Sequence, residues 1–360
     1  MTSLAFRHGG EIQQAAHRLG VSAGRLLDAS ASLVPRTPRL PWPALSSSLR
    51  DYPDRQHGVL RSQLAQLHGV SPDHVLPGNG AAELFTWAAR DAAYMSVSAL
   101  FSPGFADYVR ALSCWNARSL SVPLALDWKD SFPQALPLVP DAEVLWICNP
   151  HNPTGQLWSR ESIEPLLNRH QLVICDEAFL SLVPDGERQS LIPLVADHPN
   201  LVVIRSLTKL YGAAGLRLGY AVAQPDRLQR WAAWRDPWPV NGLASAAAAH
   251  WLATPQRYQR WCRKAQAWVA KEGAWMQKQL QQLPGITPMA SAVNFLLIRA
   301  DQSLVPLREA LEQRHHILLR DCRSFEGLGE CWLRIGLQSR ANNRRIIRAL
   351  RVELERQPLV

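Results

Sequence analysis

From about residue 58 onward, short apolar runs alternate with segments whose apolar residues recur every three to four positions. Residues 94–101, 119–123, 143–148, 172–175, 201–206 and 217–222 have the length and composition of strands buried on both faces. Helical patterns fit between them. Leu60, Leu64 and Leu67 share one face over 58–68, a helix starts near Ala81 after a short strand at 74–76, and another covers 160–168. Apolar strands alternating with helices predict an α/β fold whose mostly parallel sheet is covered on both faces. Ligands of such sheets bind beyond the carboxyl ends of the strands.

The pattern changes after Arg235-Asp236-Pro237-Trp238-Pro239. Residues 244–282 are strongly helical, followed by a strand at 294–298, a helix at 304–314, strands at 317–319 and 331–335, and a last helix. The opening segment holds one short helical pattern, 11–19, and a Pro-rich stretch, 35–43, that makes an extended connection. The expected organisation is a large domain over 46–239 and a smaller α/β domain built from 1–45 and 240–360.

Composition narrows the partners. A chain of 360 residues, 47% hydrophobic and 19% charged, is globular and long enough to bury sizeable cores. Its 39 basic and 30 acidic side chains give a net charge of +9, but the cations are scattered apart from a cluster at 340–348. Small anionic molecules are therefore the expected partners, rather than nucleic acid. Six cysteines stand far apart with no Cys-x-x-Cys pair, several inside apolar runs, so buried free thiols are expected and neither disulfides nor a metal site. No stretch approaches the roughly 20 apolar residues of a membrane span, and the first ten residues lack a signal peptide's apolar core, so a soluble cytoplasmic protein is expected. The 14 tryptophans are assigned to core and interface packing.

Three polar clusters follow three successive apolar runs. They are Asn149-Pro150-His151-Asn152-Pro153-Thr154-Gly155, then Asp176-Glu177, then Ser206-Leu207-Thr208-Lys209 with Gly215-Leu216-Arg217 beyond it. Alone, each has an ordinary explanation: a turn sequence, a strand-end turn, a solvated lysine. If the runs share one sheet edge, the clusters converge, bringing an amide, a carboxylate, an amine, two hydroxyls and a guanidinium together. That set suits a phosphorylated pyridine aldehyde. A lysine amine forms a Schiff base with it, and a buried aspartate holds the ring nitrogen protonated so that the ring draws electrons. An asparagine amide serves the ring hydroxyl, while Ser206, Thr208 and Arg217 suit the phosphate. Gly80, Ala81 and Ala82, where a strand gives way to a helix, offer a further anion cradle.

The ordered set resembles the aspartate-aminotransferase superfamily of pyridoxal-phosphate enzymes, fold type I, over nearly the whole chain. The resemblance implies pyridoxal 5'-phosphate on Lys209, Asp176 at the pyridine nitrogen, Asn152 at the ring hydroxyl, Ser206 and Arg217 on the phosphate, and Phe105 stacked on the ring. It also implies a homodimer with active sites at the subunit interface. Within the superfamily, Arg7-His8-Gly9-Gly10, Leu26-Leu27-Asp28-Ala29-Ser30-Ala31-Ser32, Asp51-Tyr52-Pro53-Asp54 and Ile317-Leu318-Leu319-Arg320-Asp321-Cys322 are similar to the threonine-phosphate decarboxylases of cobalamin biosynthesis. Those enzymes convert O-phospho-L-threonine to (R)-1-aminopropan-2-yl phosphate and carbon dioxide. The likeness implies substrate contacts from His8, Ser32, Asn152, Arg320 and Arg334; the arginine matching Arg334 grips the substrate carboxylate in aminotransferases, and here it is expected instead to help hold the substrate phosphate.

Two departures accompany it. Ser32 and Val34 stand where that family commonly has asparagines, and His57 stands where a tyrosine usually reaches the cofactor phosphate across a dimer interface. A protonated imidazole is expected to replace it. The nearest alternative activity is a histidinol-phosphate-type aminotransferase, which shares the cofactor set. A regulator carrying the same cofactor would need a DNA-binding domain, for which the chain has no room.

Overall fold

The structure, a computed structural model, describes residues 9–128 and 130–359. Thirteen strands form three sheets. In chain order they are β1 (Leu27–Asp28), β2 (Val75–Asn79), β3 (Ser98–Ser102), β4 (Ser119–Pro123), β5 (Val144–Cys148), β6 (Leu172–Asp176), β7 (Leu201–Ser206), β8 (Leu218–Val222), β9 (Thr287–Pro288), β10 (Phe295–Arg299), β11 (Ile317–Leu318), β12 (Arg320–Asp321) and β13 (Trp332–Gly336).

The large sheet has the order β2-β8-β7-β6-β5-β3-β4. Only β8 runs antiparallel to its neighbours; the other pairings are parallel. Strands β5, β6 and β8 are buried at every position, as near-continuous Val, Ile and Leu runs require when helices cover both faces. One apolar cluster covers each face of this sheet, and a third, built from Leu27, Met276, Leu333 and Ile346 among others, lies around β10 and β13. The second sheet, β12-β13-β10-β9, is antiparallel, and β1 of the N-terminal segment pairs in parallel with β11. No helix among the described residues is long and apolar enough to cross a membrane.

The expected elements differ from the observed ones at three places. The run starting at residue 94 does not pair until Ser98, because Tyr94 and Met95 still donate backward to Asp91 and Ala92 at the end of the helix Gly80–Ala92. The long helical stretch is two helices, Gly242–Trp251 and Pro255–Leu280, since the Thr254 hydroxyl accepts from Arg257 N–H and Pro255 cannot continue a preceding helix. The strand expected at 317–319 changes sheet at Leu319, so that β11 joins β1 and β12 joins β13. All six cysteines are free; Cys148, Cys175, Cys262 and Cys322 are buried, Cys331 is half-buried, and Cys114 is exposed.

Behind the strand ends, Arg205 lies in the core at 1% exposure. Its guanidinium donates to Glu177 at 2.8 Å, to both Glu187 oxygens at 2.9 Å, and to the Ser181 and Ser190 hydroxyls at 3.1 and 2.9 Å. Glu177 is fully buried and accepts also from Leu191 N–H at 2.7 Å. Removing one member of such a pair strands the other charge in the core. Arg205→Met is expected to cost about 3–5 kcal/mol of folding free energy, and Arg205→Met with Glu177→Gln clearly less; urea unfolding of the variants measures both.

Candidate active site

Strands β5 and β6 end level, Cys148 opposite Asp176, and β7 runs two residues past Ile204, the partner of Asp176, to end at Ser206. The polar clusters therefore leave the sheet at one edge. After β5, the Asn149 side chain closes the loop on itself, donating to Trp158 O at 3.0 Å and accepting from Trp158 N–H at 2.8 Å. A 2.8 Å contact between His151 Nδ1 and Thr154 Oγ1 stiffens it further. The loop presents Asn152, buried, whose Oδ1 accepts from Arg334 Nη1.

Asp176 ends β6 with its carboxylate buried at 5% exposure. Oδ1 accepts from Ala178 N–H at 2.9 Å and Oδ2 from the Tyr108 hydroxyl at 2.5 Å. Burial pushes its pKa up to about 6 against the pull of Tyr108, the Ala178 amide and Lys209. Tyr108 was not among the residues the sequence singled out. It stands three residues after Phe105 at the start of the helix Asp107–Ser113, so both rings project toward one place. Phe105 lines the pocket and packs edge-on against Tyr108, ring centroids 5.5 Å apart.

Beyond β7, Ser206 Oγ and Thr208 Oγ1 lie 2.7 Å apart. Lys209 follows in the helix Leu207–Tyr211, its ammonium 5.4 Å from the centre of the Phe179 ring. Desolvation, then the charges of Arg334 and Arg217, push its pKa down to about 8 despite Asp176. Arg217 holds a left-handed backbone, φ 53°, immediately before β8, a conformation costly for any residue that carries a Cβ. Its guanidinium lies over Gly80. At Gly80, φ is +75° and any Cβ would meet Arg217 Nη2 at 2.5 Å, so only glycine fits.

The opposite wall comes from the N-terminal segment and the antiparallel sheet. The Asp28 carboxylate accepts from Ser30 N–H at 2.8 Å, the Ser30 hydroxyl at 2.6 Å and Ala31 N–H at 3.3 Å, fixing the turn that presents residues 30–32. Ser30 O then accepts from Arg334 Nη2 at 3.2 Å. The sheet switch at Leu319 places Arg320 directly across from Arg334 in the β12–β13 register. Both are buried, and the Phe325 ring lies 4.8 Å from one guanidinium carbon and 5.8 Å from the other. Arg320 Nη2 donates to Ser324 Oγ at 2.6 Å. Arg334 forms no ion pair with a carboxylate among the described residues, and burial, with Arg320 beside it, pushes its pKa down to about 9. The Ser32 hydroxyl and Arg334 Nε are buried without a partner among the described residues.

Of the expected residues, Ser32, Ala81, Ala82, Phe105, Asn152, Asp176, Ser206, Thr208, Lys209, Arg217, Arg320 and Arg334 line one cavity of about 540 Å³, and Gly80 lies just behind Arg217. His8 lies outside the described residues. His57 is not brought to the cavity: it is 4% exposed beneath its own helix, and burial and Arg235 push its pKa down to about 4, which holds the imidazole neutral. Asp28, Ser30, Ser324 and Phe325 were also missed, being fixed by strand register rather than by any local motif.

Geometry and comparison agree. A family model described as aminotransferase class I and II matches residues 19–350. The chain is 36% identical over 359 residues to a threonine-phosphate decarboxylase from Salmonella typhimurium, covering 96% of this chain and 95% of the relative. Among solved structures, an L-threonine-O-3-phosphate decarboxylase from Porphyromonas gingivalis superposes with TM-score 0.76 at 28% identity, covering 90% of this chain and 99% of that one. A histidinol-phosphate aminotransferase from Sinorhizobium meliloti, in complex with pyridoxal-5'-phosphate, shares the fold with TM-score 0.79 at 21% identity over 99% and 98% of the two chains. An amine of lowered pKa, a buried carboxylate and a glycine-floored guanidinium fit that cofactor's aldehyde, ring nitrogen and phosphate. The chain belongs to the aminotransferase class I and II family, and its cofactor is pyridoxal 5'-phosphate.

Proposed function

We propose that this enzyme decarboxylates O-phospho-L-threonine, giving carbon dioxide and 1-aminopropan-2-yl phosphate, the cobalamin precursor that the sequence resemblance implies. The observation that carries the reading is the pair of buried arginines, Arg320 and Arg334, set opposite each other on adjacent strands. Like charges in that position repel, and a dianion between them is the offset that a phosphorylated substrate supplies. The full-length similarity to a threonine-phosphate decarboxylase supports the same choice.

Each side chain then has a task. When bound, the cofactor supplies an electron sink for the pair left on the α-carbon as carbon dioxide departs. Lys209 Nζ would hold it covalently, and the same amine, when free, would return a proton to the α-carbon of the substrate. Asp176 keeps a proton on the ring nitrogen, with the Tyr108 hydroxyl fixing its carboxylate. Asn152 would serve the ring hydroxyl, and its Oδ1 steadies Arg334. Ser206, Thr208, Arg217 and the helix start at Gly80, Ala81 and Ala82 take the phosphate of the cofactor, and Phe105 covers the ring. Arg320, Arg334, Ser32 and His8 take the substrate. With Arg334 on the substrate phosphate, the carboxylate is left free to stand perpendicular to the ring, where its bond to the α-carbon breaks. The proposal includes a cytoplasmic homodimer that binds no nucleic acid. It also includes a cofactor-holding domain over 46–239 and a smaller one from 1–45 and 240–360; the apolar cluster from Met276 onward supports a separate smaller core, while Val240 to Val269 pack into the core of the large sheet.

Incubation with phosphothreonine in the absence of any keto acid is expected to release carbon dioxide stoichiometrically with 1-aminopropan-2-yl phosphate. Release only with an added keto acid, or none while histidinol phosphate is transaminated, would reverse the assignment. Arg334→Gln is expected to raise KM for phosphothreonine by about one to two orders of magnitude, the loss of a charge-assisted contact to a dianion, and to raise the fraction of transamination; an unchanged KM would refute its place on the substrate phosphate. Attachment of the cofactor needs the neutral amine of Lys209, the form present above its pKa. The attachment rate, followed by absorbance, is therefore expected to rise with pH, to be half-maximal at about 8 and to level off above it, whereas an ordinary lysine would still be climbing at about 10.

A further inference from the structure

Behind the anion cradle lies a charged pair that faces neither cofactor nor substrate. Glu83 stands in the first turn of the helix Gly80–Ala92 and reaches back, its Oε2 accepting from Asn79 N–H at 2.6 Å and its Oε1 from Trp87 Nε1 at 3.0 Å. This closes the helix start as a capping carboxylate does. It also sets a negative charge in the same turn whose residues Ala81 and Ala82 line the pocket. A bare carboxylate there opposes a phosphate dianion at the N-terminal amides.

Arg235, immediately after the helix Pro225–Trp234, meets that charge. Its side chain is 5% exposed, with Nη1 3.7 Å from Glu83 Oε1. The same nitrogen donates to Pro77 O at 2.5 Å. Pro77 belongs to β2, the edge strand of the large sheet, and β2 runs directly into the helix at Gly80. Space around the joint is tight: a Cβ on Gly78 would meet Glu83 Oε2 at 2.9 Å, and one on Gly219, the β8 partner of Gly78, would meet Ala81 N at 2.6 Å. One guanidinium thus fixes the strand end, the carboxylate and, through them, the amides.

We propose that Arg235 is a positioning residue for the cofactor phosphate, neutralising Glu83 and clamping residues 77–79 so that the helix start offers its amides to the dianion. The inference rests on the cofactor and not on the reaction, so a different substrate would leave it standing.

The test separates phosphate from ring. The full-length chain, stripped of cofactor, is titrated with pyridoxal 5'-phosphate and with pyridoxal, following absorbance. Arg235→Met is expected to weaken the phosphate ester about tenfold while pyridoxal changes by less than about twofold. Adding Glu83→Gln, which keeps the capping oxygen and removes the charge, is expected to restore most of the loss. A general loosening of the fold would weaken both ligands alike, and that outcome overturns the proposal, as does a double variant no tighter than Arg235→Met. Glu83→Gln alone carries the test should Arg235→Met fail to fold. It is expected to raise the preference for the phosphate ester over pyridoxal, and an unchanged or lowered preference overturns the proposal.

Discussion

The parallel register of β5, β6 and β7 is the constraint on which the site hangs. Because Cys148, Asp176 and Ile204 lie level, the three strands release their chains at one edge. Asn149 N–H donates to Asp176 O and Glu177 N–H to Ile204 O, each at 2.8 Å, so the ladder continues one step into the loops. Asn152, Asp176 and Lys209 are therefore placed by backbone bonds before any side chain meets a ligand. A slip of one residue would turn Asp176 to the other face of the sheet and point Glu177 at the pocket. The Glu177–Arg205 pair opposes that slip, since it holds the wrong carboxylate in the core.

The cavity wall formed on that edge is electrostatically incomplete. Lys209, Arg217, Arg320 and Arg334 surround it, and of the carboxylates in its lining, Asp28, Asp107 and Asp176, Asp107 is already paired with Arg110. Asp28 is occupied by the turn at Ser30 and Ala31, and Asp176 by Tyr108 and Ala178. A protein core that concentrates cations and buries the hydroxyl of Ser32 and Nε of Arg334 without partners is built for anions brought from outside. Two phosphates and a carboxylate, from cofactor and substrate, supply that charge. The same crowding lowers the pKa of Lys209, so the cost of gathering the cations also yields an amine that is partly neutral near neutral pH.

Much of this was legible along the chain because strand-end loops are local in sequence. The apolar runs 119–123 and 201–206 coincide with observed strands, and the motifs at 149–155, 176–177 and 206–209 fall where the runs stop. What escaped is what depends on register or on a single hydroxyl. Tyr108 sits in an ordinary amphipathic helix start, and nothing local marks its reach to Asp176. The opposition of Arg320 and Arg334 comes from a sheet change at Leu319 that reads as one continuous strand. The surroundings of His57 are of the same kind, since its left-handed backbone, φ 50°, and its burial near Arg235 come from packing that no motif encodes.

The departures from the resembled family divide along the same line. Val34 is 6% exposed and joins the core beneath Lys209, its N–H donating to Lys209 O at 3.4 Å, so an apolar side chain there serves packing. Ser32 is different: its hydroxyl is buried, lines the cavity and has no partner among the described residues. A buried hydroxyl without a partner is costly unless a ligand satisfies it. The first departure thus leaves the cavity's chemistry alone, while the second puts a short hydroxyl in the cavity wall. Under the proposed function, discrimination among phosphorylated amino acids would rest on the wall that carries Ser32, Arg320 and Arg334.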